Sequence, residues 1–196
     1  MKRRYVLAVI AIFMVLMGTM MNVKWSHMKA DLAGKVFRFH VLANSDREED
    51  QALKMRVKEE ILAYMKQELP TSDSAEITKA WARANLHNIT DRAQQLVKRE
   101  GYDYTVTSKV SSCDFPEKSY GDITFPAGEY EALRIEIGES KGQNWWCVLY
   151  PNLCFIDAVN AVVPQEGKEE LKHVLEEDTY KMVTATTPFR IKWFFF

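Results

Sequence analysis

The longest unbroken run of apolar positions comes first. Tyr5 to Val23 carries no charged residue, and Lys2, Arg3 and Arg4 precede it. At about 1.5 Å per residue, some 18 apolar residues cross a hydrocarbon core of about 30 Å, so this run is long enough to span a bilayer as a helix. Secretory hydrophobic regions are shorter and close on a small-x-small cleavage site. Gly18-Thr19-Met20 offers no clean Ala-x-Ala. The run therefore reads as an uncleaved signal anchor ahead of a removed signal peptide, and either one takes residues 24–196 out of the cytoplasm. Lys24, Lys29 and Lys35 follow the run, so a charge count alone does not orient it. The leading basic cluster, and the tendency of long domains to translocate whatever their charge, set the N-terminus inside and the domain outside. The competing reading is a buried core helix, but such helices rarely sit at a terminus behind a basic cluster.

After a linker over 24–35, the pattern alternates. Phe37, Phe39 and Val41 share one face of a half-buried strand, with Arg38 and His40 on the other. Ser45 and Glu48 stand at capping-box spacing and open a helix whose apolar face runs Leu53, Val57, Ile61 and Met65, ended by Pro70. A second helix is expected from about Asp73-Ser74, with Asp73 and Glu76 at capping spacing, to Glu100. Its stripe runs Ile77, Trp81, Leu86, Ile89, Ala93, Leu96 and Val97, and Gly101 stands at its C-cap. The period then changes to two. Strands are expected at Tyr102 to Val110, as a short piece at Ile123 to Phe125, at Glu129 to Ile137 and at Asn144 to Tyr150. A helix around Glu166 to Tyr180 follows, and the alternating Phe189 to Phe196 suggests a last strand or an aromatic contact patch. This order gives an α+β domain over 36–196, a mostly antiparallel sheet with helices packed on one face, behind the signal or anchor of 1–23.

All 27 acidic residues lie beyond Val23, with all but three of the 26 Lys and Arg, leaving that part a formal charge of −4. A well-mixed, weakly acidic domain has no general attraction for nucleic acid or anionic lipid, so neither is a main partner. Outside the cytoplasm cysteines can persist as disulfides. Cys147 and Cys154 would sit too far apart on one straight strand, but Pro151-Asn152 breaks it; a turn there makes them diagonal neighbours, either bridged or as two buried thiols. Cys113 is left over. The four histidines are scattered, so no metal or cofactor site and no catalytic set is expected. A thiol enzyme with Cys147 as nucleophile and His173 as base lacks any nearby cation to lower the thiol pKa. Two stretches look richer than packing requires. Asn44, Ser45 and Asp46 lead to Asp50, Gln51 and Lys54, with Asp46, Asp50 and Lys54 spaced for i, i+4 pairing along one face; Trp145 and Trp146 point to opposite sides of a strand. A capped, solvated helix start and core packing also account for them.

These two stretches, with Phe125-Pro126-Ala127-Gly128-Glu129-Tyr130 between them and Leu153-Cys154 after them, resemble the stage II sporulation protein R family of endospore-forming bacteria. The motifs occur in the family's order over about 36–157. Tyr150-Pro151-Asn152-Leu153 departs from the expected Phe-Pro-Pro-Leu, and the Phe194-Phe195-Phe196 ending is unfamiliar. The resemblance implies an exported signal, made in the forespore and delivered into the space facing the mother cell. There it would activate a membrane-embedded aspartic protease that processes the precursor of the mother-cell sigma factor. It implies action by binding, with Asn44, Ser45, Asp46, Asp50, Gln51, Lys54, Trp145 and Trp146 as the candidate partner surface. The alternatives are an envelope enzyme using a thiol and an extracytoplasmic ligand-binding module.

Overall fold

The computed structural model describes residues 2–69, 74–154, 163 and 165–185. The apolar run and the expected linker form one helix, α1 (Lys2–Lys35). It is the one helix among the described residues long and apolar enough to cross a membrane, with mean hydropathy 2.4 and its apolar window wholly unburied. Residues 24–35 are helical because nothing in them breaks a helix, and the last turns have a core to enter. Leu32 and Val36 are fully buried, Lys24 Nζ pairs with Asp178 at 2.7 Å, and Lys35 pairs with Asp31 at 2.9 Å. Burial would raise the Asp31 carboxyl, but Lys35, Thr179 and the Glu176 amide outweigh it and hold it below the usual range.

The chain continues as β1 (Phe37–Leu42), α2 (Glu48–Glu68), α3 (Ala75–Ala84) and α4 (Leu86–Arg99). The strands β2 (Val106–Phe115), β3 (Lys118–Tyr120), β4 (Ile123–Phe125), β5 (Gly128–Ile137) and β6 (Asn144–Tyr150) follow, then α5 (Gln165–Val174) and α6 (Glu177–Thr184). The main sheet has the order β2-β5-β1-β6. Its β2–β5 and β1–β6 pairs are antiparallel, and the central β1–β5 pair is parallel, Arg38 facing Ala132 through Leu42 facing Glu136. The expected α+β class with a mostly antiparallel sheet is what forms, and the parallel pair arises because the α2–α4 excursion separates β1 from β5.

Helices α2, α3 and α4 cover one face, over Phe37, Phe39, Val41, Leu133 and Ile135. Several expected boundaries move. The long second helix breaks at Asn85, whose Nδ2 donates to Trp81 O at 2.9 Å, so α3 crosses the sheet while α4 lies along β2. Ile77 consequently turns outward, 46 % exposed, and leaves the apolar stripe. The cap of α3 is Ser74, whose Oγ accepts from Ile77 N; Pro70 and Asp73 lie outside the described residues. Gly101 takes the positive φ of 84° that a C-terminal cap requires. Strand β2 starts later than expected and runs further, because the Gln94 side chain binds both Tyr104 O and Val106 N and so holds residues 104–106 against α4. The last helical stretch is two helices, parted at Glu176, and the expected strand at 189–196 lies outside the described residues.

The second face is not wet at β1. The end of α1, the β3–β4 hairpin, α5 and α6 cover it, and Arg38 and His40 are buried there, 0 % and 3 % exposed. The Arg38 guanidinium is boxed by the rings of Phe115 at 4.3 Å, Tyr130 at 4.9 Å and Phe125 at 5.1 Å. Its Nε donates to Cys147 O at 3.0 Å and its Nη2 to Tyr120 Oη at 3.1 Å. Among the described residues it has no carboxylate partner. Burial lowers the Arg38 pKa, and pushes Tyr130 up to about 12, so the charge is met by neutral aromatic faces. Truncation would leave a cavity and two unpaired acceptors. Arg38→Ala should therefore cost about 3 kcal/mol in urea denaturation. Arg38→Met, which fills the box without a charge to desolvate, should cost less.

Candidate functional site

The parallel pair sets the direction of the domain. Lys29 of α1 packs against Gly128 at the start of β5; β1 and β5 then run side by side away from that point. Their far ends, Leu42 and Ile137, lead into the loops that carry the polar run. Ten strand residues at about 3.3 Å each put those loops about 30 Å beyond Gly128, at the end of the domain opposite the apolar part of α1.

At that end Asn44, Ser45 and Asp50 close on one another. Asp50 Oδ2 accepts from Ser45 Oγ at 2.5 Å and from Asn44 Nδ2 at 2.9 Å, with Arg47 Nη2 at 3.4 Å. Asp50 is 1 % exposed. Burial would raise its carboxyl, but the hydrogen bonds from Ser45 and Asn44, with Tyr104 and the Arg47 charge, hold it below the ordinary range. Arg47 reaches on to Tyr104 Oη at 2.8 Å.

The same residues reach the loop after β5. Asn44 Oδ1 accepts from Glu139 N at 2.9 Å, Asp46 Oδ1 from Gln143 N at 2.6 Å, and Lys54 Nζ donates to Gln143 O at 3.0 Å and Gln51 Oε1 at 2.6 Å. Gln51 Nε2 in turn donates to Ser45 O at 2.9 Å. Lys54 is buried, and its pKa is lowered by that burial despite the nearby Asp46 charge. Two glycines permit the approach. A Cβ on Gly138 would strike the Asn44 side chain, and one on Gly142 the Ser45 backbone.

This corrects the expected helix start. Ser45 and Glu48 form no capping box: α2 begins at Glu48 after an Arg47 N-cap with no side-chain cap bond, because Ser45 Oγ is spent on Asp50. Nor do Asp46, Asp50 and Lys54 make i, i+4 pairs, since Asp46 precedes the helix and Asp50 and Lys54 turn to different loops. Asn44, Ser45, Asp46, Asp50, Gln51 and Lys54 come together as an inward clamp. Asp46 stays exposed at its edge, and the side chains left outside around it are Arg47, Glu48, Glu49, Glu139 and Lys141. Sequence alone does not single out Arg47, Tyr104 and Gln143; the glycines at 138 and 142, which flank a polar turn, are the signal that could have pointed to the loop they meet.

The tryptophans do take opposite faces. Trp145 stacks edge-on to Phe39 at 5.7 Å with Lys58 over its ring; Trp146 lies on His40 at 3.8 Å and against Phe115 at 4.6 Å. Both are half-buried in packing and neither joins the polar clamp. Cys147 and Cys154 are joined, their Cα atoms 5.5 Å apart, because Cys154 N bonds Val148 O and draws the turn back onto β6. Cys113 is a buried free thiol.

A small α+β domain borne on an apolar helix, with a polar clamp at its far end, defines the class. The chain belongs to the stage II sporulation protein R family, whose model matches residues 33–160. It is 33 % identical over 196 residues to Stage II sporulation protein R of Bacillus subtilis (strain 168), covering 93 % of this chain and 88 % of that protein. Its role lies in sporulation. No solved structure matches it.

His40 supplies a pH test of this packing. Burial first, then the Arg134 charge, hold its imidazole at about 4, against the opposing pull of Asn144 and Glu136. A depressed histidine pKa favours the neutral form in the fold, so its contribution is full above about pH 6.5 and is lost as pH falls toward 4. Stability should drop by about 2 to 3 kcal/mol across that window. The slope should flatten in His40→Gln when denaturation midpoints are compared between pH 7 and 4.5.

Proposed function

We propose that this protein is an exported sporulation signal that binds and activates a membrane-embedded aspartic protease in the opposing membrane, so that the precursor of the mother-cell sigma factor is processed. Family membership carries the reading. The apolar α1 fits a signal or anchor, and the polar clamp at the opposite end of the domain gives a rigid surface suited to a partner beyond its own bilayer. The action is by differential affinity: a ligand that prefers the competent state of the protease shifts it there without doing chemistry itself. Glu48, Glu49 and Glu139 on the clamp's rim, whose side chains take no part in its hydrogen bonds, are the first contacts to test. Deleting the gene should leave the sigma-factor precursor uncleaved and stall sporulation after the asymmetric septum. Charge reversal of the three rim residues should reproduce that block with the protein still folded and exported. Normal processing in the deletion strain overturns the reading, as does turnover of peptide or peptidoglycan substrates by the purified chain.

The Cys147–Cys154 bridge is proposed to form after export and to be structural. Closing so short a loop is worth about 2.5 kcal/mol. Replacing both cysteines by serine should therefore lower the melting temperature and spare signalling at low growth temperature. A thiol enzyme would instead lose all activity at every temperature.

A further inference from the structure

Among the described residues strand β2 lies at the edge of the main sheet and pairs only with β5. Two hydrogen bonds show which of its backbone groups face outward. Gly138 N donates to Thr105 O, on the β5 side, at 2.9 Å, whereas Val106 N donates away from β5, to Gln94 Oε1 at 2.8 Å. Alternation carries this along the strand. Thr107, Lys109, Ser111 and Cys113 turn their N–H and C=O groups to β5; Ser108, Val110, Ser112 and Asp114 turn theirs outward. Among the described residues none of these outward backbone groups has a hydrogen-bond partner. Ser112 and Asp114 are exposed, and Ser108 and Val110 half-buried.

An open edge is usually guarded by proline, bulges, several lysines or a covering element. Here the register with β5 runs unbroken from Val106 to Phe115, the strand contains no proline, and Lys109 is its one lysine. A row of alternating donors and acceptors at strand spacing is complementary to another extended backbone. A second copy of this chain does not fit. Antiparallel pairing of two β2 edges would need a twofold axis across the strands. Because α1 enters the domain running the same way as β5, that axis would send the two apolar helices out of opposite ends of the dimer, which one bilayer cannot accept where α1 is kept as the anchor.

We propose that the β2 edge takes a strand from a different polypeptide: an extended segment presenting an apolar side chain beside Val110, where it would continue the core under α4, and an acidic one beside Lys109, which is half-exposed and shares its charge with Glu136 at 3.4 Å. The inference rests on the binding role proposed above and names the surface that role uses in addition to the clamp rim.

The test uses the full chain in nanodiscs with the sporulation aspartic protease as probe, and hydrogen exchange resolved to single amides. In the free chain the amides of Ser108, Val110, Ser112 and Asp114 should exchange at least 100-fold faster than those of Thr107, Lys109, Ser111 and Cys113. Addition of the protease should slow the outward set at least tenfold. Ser112→Pro removes one outward N–H that the fold does not use, and should weaken protease binding at least tenfold while Ser112→Ala binds as the parent does. Asp114→Pro serves if the first variant fails to fold, and the exchange comparison needs no variant. Slow outward amides in the free chain mean an edge filled from within or by a second copy, and overturn the proposal. So does protease binding with those amides left unprotected, an outcome that leaves the activation reading standing. No binding of the protease at all overturns the activation reading and this proposal with it.

Discussion

A buried positive charge normally brings its own carboxylate into the core. Among the described residues Arg38 does not, and the architecture of the second layer follows from what surrounds it instead. The guanidinium sits on β1 at the centre of the sheet and gathers Phe115 from the end of β2, Tyr120 from β3, Phe125 from β4 and Tyr130 from β5. Its Nε also ties the Cys147 carbonyl of β6. One side chain therefore touches all four strands of the main sheet and both strands of the hairpin. A ring face attracts a cation by about 2 kcal/mol once water is excluded, and several faces together offset part of the cost of burying the charge. Tyr120 adds a second tether by donating to Trp146 O at 3.2 Å.

With the hairpin held there, the end of α1 has a surface to close against. Leu32 and Val36 enter the same cluster as Phe125 and Tyr130, and α5, the joint after it and α6 seal it with Leu171, Leu175 and Val183 respectively. The helix that begins among exposed apolar side chains thus ends inside a folded core with no irregular joint between. Its direction is passed to β1, then through the parallel pairing to β5, and so fixes which end of the domain is remote from the apolar segment. The polar clamp sits at that remote end, and its own residues largely satisfy one another. Its exposed part is a rim of charged side chains around a hydrogen-bonded network, not a set of free ligands.

Much of this could be read from residues alone. The span of Tyr5 to Val23, the alternation at Phe37 to Val41 and Leu133 to Ile137, the cap glycine at 101 and the opposite facing of Trp145 and Trp146 are local properties, set by periods of 3.6 and 2 and by the backbone freedom of glycine. Family membership was legible for a related reason: the polar run, the Pro-Ala-Gly-x-Tyr stretch and the Trp-Trp-Cys run are short, ordered and distinctive. Where periodicity and spacing missed, a side-chain hydrogen bond had intervened. Ser45 at capping spacing lost its cap role to Asp50, Ile77 left its stripe when Asn85 broke the helix, and Gln94 delayed the start of β2.

By itself, then, the sequence determined the apolar span, the α+β class, the strand faces and the family, because each depends on neighbours within a few residues or on an ordered set of short motifs. The tertiary structure decided the rest: that Arg38 and His40 go inward, that β1 and β5 run parallel, that Asp46 and Lys54 clasp a loop some ninety residues away, and the strand order that puts β2 and β6 at the ends of the described sheet. Alternation assigns a residue to a face but cannot say what covers that face. A second layer assembled from α1, the hairpin and the last two helices comes from widely separated parts of the chain, and only their packing makes the polar face of β1 an interior.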